Sequence, residues 1–132
     1  MLTIHPNHTA LKCLVQDYFS TLNARDYYET SLLFTEQGEL LPPFDDVIQG
    51  QDAIAHYLSQ EATHMTCSPQ AVEVLTANQL LVRGRVQTAL FEVSVIWQFQ
   101  FDSHQRIERL RIELVASLED LLTIKTHHPV LA

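Results

Sequence analysis

The sequence predicts an α+β fold, a cone-shaped, curved antiparallel sheet wrapped around N-terminal helices. Apolar residues repeat every three or four positions in the first half of the chain and every second position in the later part, so helices come first and a meander follows. The clearest strand runs through Phe91, Val93, Val95, Trp97, Phe99 and Phe101, whose side chains share one face and form an apolar wall with a single indole N–H. Size is the third observation. With 132 residues, 46% of them hydrophobic, and only 3 Gly and 5 Pro, the chain is expected to form one domain over residues 1–132, with a short mobile tail at about 125–132.

From Thr9 to about Ala24, Leu11, Leu14, Val15, Tyr18, Phe19 and Leu22 make one stripe of an amphipathic helix, with Thr9 as its N-cap. Asn23-Ala24-Arg25-Asp26 ends it, and Asp26 caps a second helix from Tyr27 to Phe34. Glu39-Leu40-Leu41 is a short strand stopped by Pro42-Pro43, which cannot donate to a central ladder. Gly50-Gln51-Asp52 opens a third helix through about His64, burying Ile54, Tyr57 and Leu58. After a break at Ser68-Pro69 come four strand-like runs, about 70–76, 79–90, 91–102 and 105–116, with turns at Asn78, around Leu90 and Phe91, and at Asp102-Ser103-His104-Gln105. Ser117-Leu118-Glu119-Asp120-Leu121-Leu122 reads as one or two capped helical turns before the tail from Thr126 to Ala132.

Composition excludes several functions. Acidic residues outnumber basic ones 16 to 8, a net charge of −8 that repels nucleic-acid phosphates and denies the chain a stable electrostatic anchor on anionic lipid, while leaving room for transient membrane contact. No apolar run approaches the roughly 20 residues that span a bilayer, and the N-terminus has no signal-peptide pattern, so a cytoplasmic protein is expected. Cys13 and Cys67 lie far apart and read as partly buried reduced thiols. The histidines His5, His8, His56, His64, His104, His127 and His128 make no ligand spacing on a helical face, so no metal site is expected. Arg83 and Arg85 alternate onto the face opposite Val82 and Val86, a solvated, salt-bridged side of the sheet.

Inside the cone, Tyr18 from the first helix and Trp97 from the fourth predicted strand could both look into a cavity closed at one end by helices. Taken alone, both are ordinary core aromatics. The succession Tyr18-Phe19-x-x-Leu22-Asn23-Ala24-x-Asp26, then Gly38-Glu39-Leu40-Leu41-Pro42-Pro43-Phe44, then Ile48-x-Gly50-x-Asp52-Ala53-Ile54 resembles the nuclear-transport-factor-2-like, or cystatin-like, superfamily. More narrowly it resembles the C-terminal domain of the orange carotenoid protein family. Gly84-Arg85-Val86-Gln87-Thr88, Phe91, Val95-Ile96-Trp97-x-Phe99 and Leu114-Val115-Ala116-Ser117-x-Glu119-Asp120-Leu121-Leu122 continue that pattern in order, over roughly residues 10 to 124.

The resemblance implies a stand-alone, cyanobacterial domain homologue that carries a ketocarotenoid, canthaxanthin or echinenone, without enzymatic activity. Tyr18 and Trp97 match the residues that hydrogen-bond the keto oxygen in that family. Val82, Val86, Leu90, Phe91, Val93, Val95, Phe99, Ile112 and Leu114 are core positions first and candidate tunnel lining second. A homodimer, transfer to or from a helical carotenoid protein, and quenching of singlet oxygen are further implications. One departure stands out: where the family often has Pro-Trp-Phe-Gly, this chain has Ala89-Leu90-Phe91-Glu92. Two alternatives remain open. One is an isomerase- or cyclase-like enzyme, although Glu39, Asp45 and Asp46 fall on a short strand or loop rather than the inward face; the other is a dimeric interaction module without ligand.

Overall fold

The computed structural model of the protein describes residues 8–115. Helices α1 (His8–Asn23), α2 (Tyr27–Leu32) and α3 (Gln51–Glu61) pack on a six-stranded sheet. Its strands are β1 (Phe34–Leu41), β2 (Ile48–Gln49), β3 (Thr66–Thr76), β4 (Gln79–Gln87), β5 (Glu92–Phe101) and β6 (Ile107–Val115), in the order β2-β1-β6-β5-β4-β3. The sheet is curved and open, as the patterning predicts. Every neighbouring pair is antiparallel except β1 and β6, which run parallel, so the sheet is mixed. Alternation reports which face a residue takes and is blind to strand direction, so this pair was invisible in the sequence.

Helix α1 buries Leu11, Val15, Tyr18, Phe19 and Leu22, the predicted stripe without Leu14, which is only partly buried. Thr9 lies inside the helix and is not its cap. Asp26 does cap α2, accepting from the Glu29 N–H at 3.3 Å. That helix stops at Leu32 because Phe34, fully buried, already belongs to β1. The first strand is therefore longer than Glu39-Leu40-Leu41. A register irregularity between Phe34 and Glu39 interrupts its alternation and hides the early half. Gly38 sits where a side chain has no room, since a Cβ there would lie 2.9 Å from the Phe34 Cβ and 3.1 Å from the Ile107 carbonyl oxygen.

The third helix ends at Glu61 rather than His64. Ser68-Pro69 is no break: both residues lie within β3, which is an edge strand and so tolerates a proline, with a register shift between Pro69 and Ala71. Strand β4 ends at Gln87 instead of 90. The Thr88 hydroxyl accepts from the Leu90 and Phe91 N–H groups at 3.3 Å each, and the Thr88 N–H donates to the Phe91 carbonyl at 2.8 Å, closing a turn over 88–91. Asp102 closes the next turn by accepting from the His104 and Arg106 N–H groups, both at 2.9 Å.

The concave face carries a cluster of interlocked rings. Phe19 stands edge-on to Trp97 at 4.8 Å between centroids, and Tyr18 edge-on to Phe99 at 5.5 Å. The convex face is polar and salt-bridged as expected, with Arg85 on Glu92 and Arg109 on Glu39 at 2.9 Å. The expected helical turn at Ser117–Leu122 and the tail at about 125–132 lie outside the described residues.

Candidate ligand-binding site

Tyr18 belongs to the middle of α1 and Trp97 to the middle of β5, and each is 1% exposed. Both line one apolar cavity of about 40 Å³ between the helices and the mouth end of the sheet. Leu22, Leu40, Val86 and Ile112 complete its inner wall, while Pro42, Tyr57, Glu61 and Met65 stand around it from the α3 side. Among the described residues, neither the Tyr18 hydroxyl nor the Trp97 indole N–H has a hydrogen-bond partner. Neither polar atom is sealed off from the cavity, so each donor opens onto its space, where one acceptor can meet both.

Their setting keeps both donors neutral. Burial pushes the Tyr18 hydroxyl far above its ordinary pKa, with smaller contributions from the Cys67 thiol and Tyr57. The Cys67 thiol, also on the cavity, is pushed up to about 12 by burial. Asn23 holds the Cys67 backbone with both ends of its amide. Its Oδ1 accepts from the Cys67 N–H at 2.9 Å and its Nδ2 donates to the Cys67 carbonyl at 2.8 Å, tying the end of α1 to the start of β3. At the rim, the Tyr57 hydroxyl donates to Asp45 Oδ2 at 2.7 Å and fastens the loop 42–47 against α3. Burial, that bond and the nearby carboxylates of Asp45 and Glu61 all raise the Tyr57 pKa.

The residues predicted from sequence separate into groups. Tyr18, Trp97, Val86 and Ile112 meet on the cavity. Val82, Val93, Val95 and Phe99 pack into the core away from it, and Leu114 is half-buried against that core. Leu90 is 63% exposed on the turn after β4, because the strand pattern does not continue through Thr88. With Phe91, Glu61, His64 and Met65 it forms a shallower lip of about 330 Å³ that shares Glu61 and Met65 with the main cavity. Glu61, Met65 and Cys67 are lining residues that periodicity does not reveal, whereas Tyr57, which the α3 pattern turns inward, is half-buried on the cavity. Cys13 is exposed and Cys67 buried, so only one of the two thiols matches the expectation of partial burial.

Two neutral donors converging in an apolar wall suit a carbonyl oxygen carried by a greasy molecule, which they orient without burying a charge. At about 40 Å³ the cavity has room for a few water molecules, so a ring can enter only if the rim at 42–47 or 88–91 moves.

No family model matches the chain. It is 30% identical over 116 residues, 82% of its length, to the orange carotenoid-binding protein of Synechocystis sp.. The solved Orange Carotenoid Protein of Anabaena (Nostoc) sp., which binds canthaxanthin, is 33% identical and superposes with a TM-score of 0.71 over 83% of this chain and 38% of that one. The chain is a homologue of the orange carotenoid protein C-terminal domain. This homologue spans 37% of the length of the curated relative. An epoxide hydrolase/cyclase-like enzyme of pyran ring formation in salinomycin shares the fold, with a TM-score of 0.75 over 87% of this chain and 96% of that one, at 19% identity. The homologue thus has the nuclear-transport-factor-2-like, cystatin-like architecture. Among its described residues no helix is long and apolar enough to cross a membrane, and no group of His, Cys, Asp and Glu is arranged to hold a metal ion.

Proposed function

We propose that this protein is a cytoplasmic carotenoid carrier, holding one end of a ketocarotenoid such as canthaxanthin or echinenone with the keto oxygen between Tyr18 and Trp97. One observation carries the reading: two hydroxyl and indole donors without partners face the same apolar cavity in a homologue of a carotenoid-binding domain. Each hydrogen bond to the keto oxygen contributes about 0.5–1.5 kcal/mol, and burial of the polyene at about 25 cal/mol per Å² supplies most of the affinity. A polyene is longer than one such domain is wide. Two protomers meeting at their cavity mouths therefore cover one pigment and shield it, and a helical carotenoid protein receives it or delivers it. Bound in this way the pigment also quenches singlet oxygen, and the chain acts by binding rather than by catalysis.

The test is the visible spectrum of protein purified from a host that makes canthaxanthin, beside Tyr18→Phe and Trp97→Phe. A red-shifted band that weakens or moves back in both variants is expected. A colourless, folded parent overturns the reading.

Glu61 favours a second reading, because it brings a carboxylate to the cavity that contains Tyr18. A cyclase- or isomerase-like enzyme would use it as a base opposite the tyrosine donor. Turnover of an epoxide or a cyclic ketone that is abolished in Glu61→Gln would establish that chemistry, and its absence in a pigmented protein would retire it.

A further inference from the structure

Strand β3 is one edge of the sheet, and past Cys67 it is exposed along its whole length. Its outer row of backbone N–H and C=O groups meets no other strand among the described residues. Natural edges of this length are usually guarded by charge. This one carries a single charged residue, Glu73, while Val72 and Val74 are each 43% exposed and Leu75 37%. Val72 pairs with Val82 and Val74 with Leu80, both fully buried, so the two valines belong to the concave face, at its edge, where α1 leaves them partly exposed.

We propose that β3 pairs antiparallel with β3 of a second copy of this chain about a two-fold axis at Val72, joining two sheets into one. The existing register shows why a second copy fits. Around that axis Glu73 faces Ala71 of the second copy, and Ala71 is itself the row partner of Arg83. Glu73 and the second copy's Arg83 then lie two strand spacings apart, roughly 10 Å, on the same convex face with only a methyl group between them, within the combined reach of the two side chains. Arg83 is exposed and makes no ion pair among the described residues, so it is free to take this one. Symmetry supplies the bond twice. On the concave face Val72 meets its own copy, and Val74 faces Gln70 of the second chain, over a groove of about 230 Å³ lined by Val15, Phe19 and Val72. Pairing over 70–74 asks for no N–H from Pro69.

This contact is separate from the cavity mouth, which β3 reaches only at Cys67, and it does not depend on pigment. The experiment is sedimentation equilibrium of the pigment-free full chain over a concentration series, with circular dichroism as the control for folding. The parent should be a dimer. Glu73→Arg and Arg83→Glu should each raise the dissociation constant about tenfold, since each turns two attractive pairs into repulsive ones. The double variant Glu73→Arg with Arg83→Glu should restore it, a rescue that a misfolded variant cannot show. Val72→Lys should be monomeric, whereas Leu90→Glu at the mouth should remain dimeric. A monomeric parent, unchanged dissociation by the single reversals, or no rescue overturns the proposal. So does a dimer lost by Leu90→Glu and kept by Val72→Lys, which would place the contact at the mouth.

Discussion

Tyr18 and Cys67 illustrate how burial alone prepares a binding site. Both are acids whose charged form is penalised by the apolar cavity, so both stay protonated well above neutral pH. The sign of the resulting pH dependence is definite. Unfolded, the Cys67 thiol loses its proton near pH 9; folded, it keeps the proton to about 12, so the unfolded state binds fewer protons in between and stability falls as pH rises from about 9 to 12. Cys67→Ala should flatten part of that alkaline loss in a series of thermal melts from pH 8 to 11, and an unchanged slope would assign it to Tyr18 and other groups. At pH 8 the native protein should titrate one thiol with a reagent such as dithionitrobenzoate, the exposed Cys13, and a second only after unfolding. Tyr18 and Trp97 were legible as candidates because each lies on the apolar face that local periodicity defines. Glu61 and Cys67 were not. Their place on the cavity depends on how α3 and the start of β3 meet α1, which no short-range pattern encodes.

At the scale of elements, α1 is positioned by packing along its stripe and by the paired hydrogen bonds from Asn23 to the Cys67 backbone. Removing that amide leaves two backbone groups of β3 without partners. Asn23→Ala should therefore cost about 1–3 kcal/mol in denaturant unfolding, and a loss well below that range would mean that water replaces the amide without penalty. The helices were legible to within a few residues, and so were the central strands β4 and β5, because their alternation is unbroken. The errors have specific causes. An irregular register concealed the first half of β1, a two-residue β2 carries too little pattern to detect, and Pro69 resembled a terminator because an edge strand cannot be told from a central one in sequence. The alternation at Leu90 was carried across a turn that the Thr88 hydroxyl closes, which moved a supposed lining residue onto the surface.

For the whole molecule, strand order decides what is open and what is closed. With β6 between β1 and β5, the sheet puts Leu40, Ile112 and Trp97 on one concave surface, and α1 and α3 close over it to leave the cavity. If one polyene spans two mouths, pigment-loaded protein should contain one carotenoid per two chains by absorbance and native mass; a fully enclosed pigment in a coloured monomer would remove the shared-tunnel arrangement. The sequence by itself determined the α+β class, the helix-then-meander order and the inward placement of Tyr18 and Trp97, because hydrophobic periodicity is a local property read over a few turns or strands. Only the tertiary structure decided that β1 and β6 run parallel, that β3 is an exposed edge, and that Tyr18, Trp97 and Cys67 share one small cavity. Those are relations between residues distant in the chain, set by which faces pack together and by the register of strands that meet only when the whole domain has folded.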